Sequence, residues 1–153
     1  MATTIVPSNL VVTITESYSL NGVDYGNTMN KTYTDNGQVS QRVMSIAGKG
    51  AEATVWTDIL ALSTVDGQGQ VVKADYKYFR ITNLDTVNTL HLRTYNGADY
   101  VAFEVAPASS LLLMDAGYDG TLTSTIVTLR DIEAISGQSS SATEAIDVEF
   151  VMV

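Results

Sequence analysis

Apolar and polar positions trade places every second residue along most of this chain. Leu10, Val12 and Ile14 alternate with Val11, Thr13 and Thr15; Val101, Phe103 and Val105 share one parity; Ile146, Val148, Phe150 and Met152 stand opposite Asp147 and Glu149. A period of two is the signature of a strand with one buried face. Turn signals punctuate the alternation. Asn21-Gly22 separates a strand over Ser8 to Leu20 from a more polar return strand over Val23 to Thr34, and Asp35-Asn36-Gly37 leads into a strand over Gln38 to Ala47. Tyr76 to Thr82 and Leu90 to Tyr95 flank the polar turn of Asn83, Asp85 and Asn88, which predicts a hairpin with Phe79, Ile81, Leu90 and Leu92 on its apolar side and Tyr78, Arg80, Thr82, His91 and Arg93 on the other. Asn96-Gly97 joins that second strand to Tyr100 to Val105, and Pro107, with no N–H to donate, ends the ladder.

The remaining segments carry weaker patterns. Val55, Trp56, Ile59, Leu60 and Leu62 match a helical stripe about as well as a strand, and the surrounding context favours a strand over Ala51 to Ser63. Asp66 to Gln70 reads as a loop, followed by a short Val71-Val72 strand. The nearly continuous apolar run of Ser109 to Met114 predicts a strand buried on both faces by its own domain or by a neighbouring subunit, and Thr121 to Arg130 a further strand. Ser136 to Ser141, Ser-Gly-Gln-Ser-Ser-Ser, reads as a flexible loop of low complexity. Eight to ten strands without a long helix predict an all-β protein, an antiparallel β-sandwich of jelly-roll type, as a single domain over residues 1–153.

Length and composition narrow the chemistry. A chain of 153 residues buries roughly two thirds of its unfolded surface, so a single core suffices. There is no cysteine, which removes disulfides, thiolate nucleophiles and Cys-ligated zinc. No run of about 18 apolar residues occurs, and Met-Ala-Thr-Thr-Ile-Val lacks a basic region ahead of an apolar stretch, so the expectation is a soluble protein made without a signal peptide. The net charge of −9 is concentrated: nine acids from Asp99 onward face Arg130 alone, which places −8 in the last third. That field repels phosphates, so neither nucleic acid nor an anionic membrane is an expected partner.

Candidate chemistry is sparse. His91 is the only histidine, on the polar parity of its strand, and no Gly-x-Ser-x-Gly accompanies it, which argues against a Ser-His-Asp hydrolase. Glu104 with Glu149 is a pair any acidic chain offers to a glycosidase reading. The turns at Asp24, Asp35, Asp66, Asp85 and Asp119 hold oxygen ligands but no EF-hand spacing, and Ala47-Gly48-Lys49-Gly50 lacks the rest of a P-loop and reads as a turn. No catalytic, cofactor-binding or metal-binding residue is assigned, and the protein is expected not to be an enzyme. Trp56 with Tyr76, Tyr78, Tyr95, Tyr100 and Tyr118 offers a sugar-stacking platform, against a plainer reading in which Trp56 packs in the core and the tyrosines on strand surfaces.

The block Tyr78-Phe79-Arg80-Ile81-Thr82-Asn83-Leu84-Asp85, the return strand Asn88-Thr89-Leu90-His91-Leu92, then Val101 to Pro107 and the apolar Ser109 to Met114 resemble small virion proteins of tailed bacteriophages. The likeness spans residues 76–115 and departs at Pro107-Ala108-Ser109, where the pattern calls for Pro-Gly. The resemblance implies a capsid decoration or cement protein on the outside of the virion. It further implies that the partners are the major capsid protein and copies of the chain itself, as a homotrimer. A tail or receptor-binding module that recognises carbohydrate is the alternative.

Overall fold

The computed structural model describes residues 7–63, 71–73, 76–114, 117–118, 127–128 and 131–153. Strands dominate them, and none of them is α-helical. The expected loop over Asp66 to Gln70, and all of the strand expected over Thr121 to Arg130 apart from Val127 and Thr128, lie outside the described residues.

The chain divides into two units, residues 1–38 and 39–153. The first is a two-stranded ribbon. Strand β1 (Ser8–Glu16) pairs antiparallel with β4 (Asn27–Asn36), and between them β2 (Ser19–Leu20) and β3 (Val23–Asp24) form a small hairpin. Asn21 and Gly22 take φ of 52° and 80°, the two positive values that a two-residue type I′ turn demands. The register Leu10↔Tyr33, Val12↔Lys31 and Ile14↔Met29 gathers most of the apolar side chains on one face. The other face is a ladder of Thr13 with Asn30 and Thr15 with Thr28, in which the Thr13 hydroxyl donates to Asn30 Oδ1 at 2.8 Å. At the open end the Asn36 amide donates to the carbonyls of Tyr33 and Ser8.

The second unit is a sandwich of two sheets. One sheet runs in the order β11 (Ser110–Met114), β8 (Tyr78–Asn83), β15 (Ile146–Met152), β5 (Ser40–Ile46), antiparallel throughout. The other runs β10 (Tyr100–Val105), β9 (Leu90–Tyr95), β14 (Ala134–Ser139), β6 (Thr57–Ser63), with the two-residue β7 (Val71–Val72) added in parallel at its edge. A short pair, β12 (Gly117–Tyr118) with β13 (Val127–Thr128), completes the strands. Inward parities from both sheets form one core: Ile46, Ile59, Phe79, Ile81, Leu90, Leu92, Ile135, Val148 and Phe150 all belong to it. Each such side chain contributes roughly 1.5–3 kcal/mol on burial.

Four expectations change. The segments Tyr78–Asn83 and Leu90–Tyr95 do not pair as a hairpin: β8 hydrogen-bonds to β11 and β15, β9 to β10 and β14, so the turn between them is an arch from one sheet to the other. The apolar set stays as expected, but Phe79 and Ile81 meet Leu90 and Leu92 across the sandwich rather than side by side. Buried Asn83 makes the arch. Its amide donates to the carbonyls of Asn88, Val105 and Ala106, its Oδ1 accepts the N–H of Asp85, and Asp85 Oδ1 accepts those of Val87 and Asn88.

Ser136 to Ser141 is not a flexible loop, since Ser136 to Ser139 belong to β14, an inner strand of its sheet with its side chains buried. Gly137 is small for a reason: a Cβ there would lie 3.1 Å from Ile59 Cδ1 and from Leu90 Cδ1. The Ser109 to Met114 segment is an edge strand, in which only Leu113 is buried and Leu111 and Leu112 are half-buried, so its own domain does not cover both of its faces. The Ala51 to Ser63 segment is strand only from Thr57. Before that, Ala53 sits at φ 53° and its N–H reaches the Gly50 carbonyl, which makes a turn of Gly50 to Ala53.

Candidate functional site

Two surfaces stand out, one on each unit. The ribbon tip presents Tyr18, Leu20, Val23 and Tyr25, exposed by 49–59%. The local geometry is ordered around the turn: Tyr25 N–H donates to the Tyr18 carbonyl at 2.7 Å, the two tyrosine rings lie 6.0 Å apart, and Asp24 Oδ1 accepts the Gly26 N–H. Further along, Met29 is exposed as well. A two-stranded ribbon has no interior, so it buries apolar area only against something else. Exposed apolar side chains grouped in this way mark a contact surface.

The second surface lies on the outer face of the β10-β9-β14-β6 sheet. Cross-strand register sets Tyr100 opposite Tyr95, and the rings stack at 4.6 Å with 29° between planes. Arg93, two residues before Tyr95, lays its guanidinium over Tyr100 at 4.6 Å and over Trp56 at 4.1 Å. The result is a row of indole, guanidinium and two phenol rings, in which each cation–π contact contributes about 0.5–1 kcal/mol. Beside it the Ser136 hydroxyl donates to Asp58 Oδ1 at 3.1 Å, and Gln138 is 5% exposed with its Oε1 unpaired among the described residues. Trp56 therefore does not pack in the core as the plainer reading had it. Tyr76 and Tyr78 are buried and cannot join a platform, whereas Tyr95 and Tyr100 do meet Trp56 through Arg93. The side chain of Tyr118 lies outside the described residues.

The other candidates are kept apart. Glu104 projects from the outer face of one sheet, Glu149 from the outer face of the other, so they do not flank a common cleft. Glu149 is held by Arg80 at 3.0 Å and by the Gln41 amide at 2.8 Å, and Glu104 lies 3.8 Å from His91 Nε2. The Gly48 to Gly50 turn binds chain, not phosphate: Lys49 and Gly50 N–H groups donate to the carbonyls of Ser141 and Ala142. Asp85 has its carboxyl held below the ordinary value by the N–H of Asn88 first and that of Val87 second, while burial raises the Tyr78 phenol. Among the described residues no three His, Asp or Glu side chains gather as metal ligands, and no helix is long and apolar enough to cross a membrane. Sequence reasoning missed Arg93 as the centre of the aromatic row. The signal was its i, i+2 spacing to Tyr95 beside a hairpin that sets Tyr100 opposite, legible once the register is known. No family of proteins, no curated protein and no solved structure matches the chain.

Proposed function

We propose that this chain is a non-enzymatic structural protein of a bacteriophage virion, a decoration or cement protein that binds the outer capsid shell and its own copies. The observation that carries the reading is the ribbon of residues 8–36, whose tip offers Tyr18, Leu20, Val23 and Tyr25 to a partner. Burying four such side chains in a shell supplies several kcal/mol per copy, and repeated copies strengthen one another. The sequence likeness over residues 76–115 supports the same reading. The body, which carries most of the −9 charge, fits a partner with a basic surface rather than DNA.

We also read the fold more finely as a jelly roll. The two sheet orders, β5-β15-β8-β11 and β6-β14-β9-β10, put strands that follow one another in the chain at matching places in the two sheets: β5 with β6, β8 with β9, β10 with β11, β14 with β15. That wrapping supports a double Greek key, an architecture used by capsid and lectin domains alike.

The test is reconstitution. Purified protein added to shells lacking it should restore regular external density, and the double variant Leu20→Ser with Tyr25→Ser should bind weakly while the body melts as in the wild type. Shells that stay bare with the wild-type protein reject the proposal. A second reading, carbohydrate recognition, draws on the Trp56–Arg93–Tyr100–Tyr95 row. It expects glycan-array binding that Trp56→Ala removes, and an array without signal dismisses it.

A further inference from the structure

We propose that Asn21 is a site of spontaneous covalent modification, in which its side-chain amide becomes aspartate and isoaspartate through a cyclic imide formed with Gly22, ahead of the other two Asn-Gly pairs of the chain, Asn36-Gly37 and Asn96-Gly97. The chemistry needs only water. The Gly22 nitrogen, having given its proton to base, attacks Cγ of Asn21; the new C–N bond closes a five-membered imide, the bond from Cγ to Nδ2 breaks, and ammonia leaves with the proton returned to it. Water then adds to either imide carbonyl and opens the ring, one way to aspartate and the other to isoaspartate. Nothing is oxidised or reduced. Glycine after the asparagine matters because a side chain on the attacking residue would obstruct the approach.

The three pairs share this sequence, and the structure ranks them. Asn21 is exposed, its side chain makes no hydrogen bond to a described residue, and nothing lies within 4 Å of where a Cβ on Gly22 would stand. The turn caps a hairpin of two residue pairs, Ser19↔Asp24 and Leu20↔Val23, with the Tyr25 N–H to Tyr18 O bond below them, so opening the turn to the geometry of attack disturbs few bonds. Asn36 differs: its Nδ2, the leaving group, donates to Tyr33 O at 2.8 Å and Ser8 O at 3.1 Å. Asn96 is held hardest. Its Oδ1 accepts the N–H of Asp99 at 2.7 Å and of Ala98 at 3.0 Å, its turn joins two strands of six residues, and the Glu133 carboxylate lies 3.1 Å from the Cβ position of Gly97. Rotating Cγ of Asn96 toward the Gly97 nitrogen breaks those bonds first.

Modification at Asn21 puts a negative charge at the ribbon tip, and the isoaspartate form adds a methylene to the main chain inside a two-residue turn, which the pairing of β2 with β3 cannot absorb.

The experiment holds the folded protein in mildly alkaline buffer beside a sample unfolded in urea, then measures acid products at each site by peptide mass spectrometry. In urea the three sites should react at rates within about threefold of one another. In the folded protein Asn21 should keep its unfolded rate to within about threefold, while Asn36 and Asn96 slow by roughly tenfold or more. Isoaspartate should accompany aspartate at Asn21. Protection of Asn21 equal to that of Asn96, or aspartate there without isoaspartate, overturns the proposal. The result stands apart from virion binding, because no partner takes part in the measurement.

Discussion

The side-chain amide of Asn83, on β8, donates to the backbone carbonyl of Val105, on β10, 3.2 Å away in the facing sheet. It also reaches Asn88 O at 2.9 Å and Ala106 O at 3.3 Å, so two amide protons are shared among three carbonyls of a buried corner. Asn83→Leu leaves those carbonyls without their donor. The expected loss is about 3 kcal/mol, read from urea unfolding with an unchanged m-value. A loss below about 1 kcal/mol would mean the arch holds without its asparagine.

Gly137 gives a second prediction. Ile59 and Leu90 leave no room for a branched side chain, and Ile46 Cγ2 stands 3.5 Å from the Cβ position, so Gly137→Val overpacks the centre of the sandwich. Destabilisation of about 1–3 kcal/mol is expected in thermal melts. An unchanged melting temperature would show that β14 has slack the geometry does not display.

Ala108 points the other way. It sits at φ 52° behind Pro107, with Ser109 N–H bonded to Ala106 O at 3.2 Å, the arrangement of a type II turn whose third position favours glycine. This is where the sequence departs from Pro-Gly. Relief of the left-handed strain exceeds the added freedom of the unfolded chain, so Ala108→Gly should raise stability by about 0.5 kcal/mol. A lower melting temperature for that variant would refute the strain argument.

The Asp85 carboxylate gives the acid response. Its folded pKa lies below the ordinary value because the N–H groups of Asn88 and Val87 point at it, at 2.6 and 2.7 Å. The unfolded chain therefore takes up a proton first as pH falls. The stability this group supplies is complete above the unfolded carboxylate pKa and drains away as pH drops through the folded one. Asp85→Asn keeps an acceptor without the titration. The difference in melting temperature between wild type and variant should hold near neutrality and narrow below about pH 4. A difference that stays constant down to strongly acidic pH would remove Asp85 from the acid response.

How much of this was legible varies by level. Parity named the inward residues of β8, β9, β10 and β15 correctly, because burial of one face is written every second position. Partnership was not written there. Phe79, Ile81, Leu90 and Leu92 look the same whether their strands lie side by side or face each other; the choice falls to the bonds of Asn83, which composition does not reveal. Ser-Gly-Gln-Ser reads as a loop on its polarity, and polarity alone does not distinguish an exposed segment from a buried one. In β14 the small Gly137 makes space inside, while the outward Ser136 pairs with Asp58. The aromatic row failed as a pattern for the opposite reason: Trp56 is distant in sequence from the hairpin that carries Arg93 and Tyr100, and the fold alone brings it to the guanidinium.

Strand β15 lies between β5 and β8, and among the described residues β5 has no other partner in its sheet. Those two segments meet nothing of each other until residues from more than sixty positions further along arrive to bridge them. Closure of that sheet is consequently a late event in folding, waiting on the longest loops in the topology, and the reaction should run slowly for a domain this size, roughly in the millisecond-to-second range. Until then two bare edges are available to any passing strand, and the time spent in that state sets how much of the protein is lost to wrong pairings.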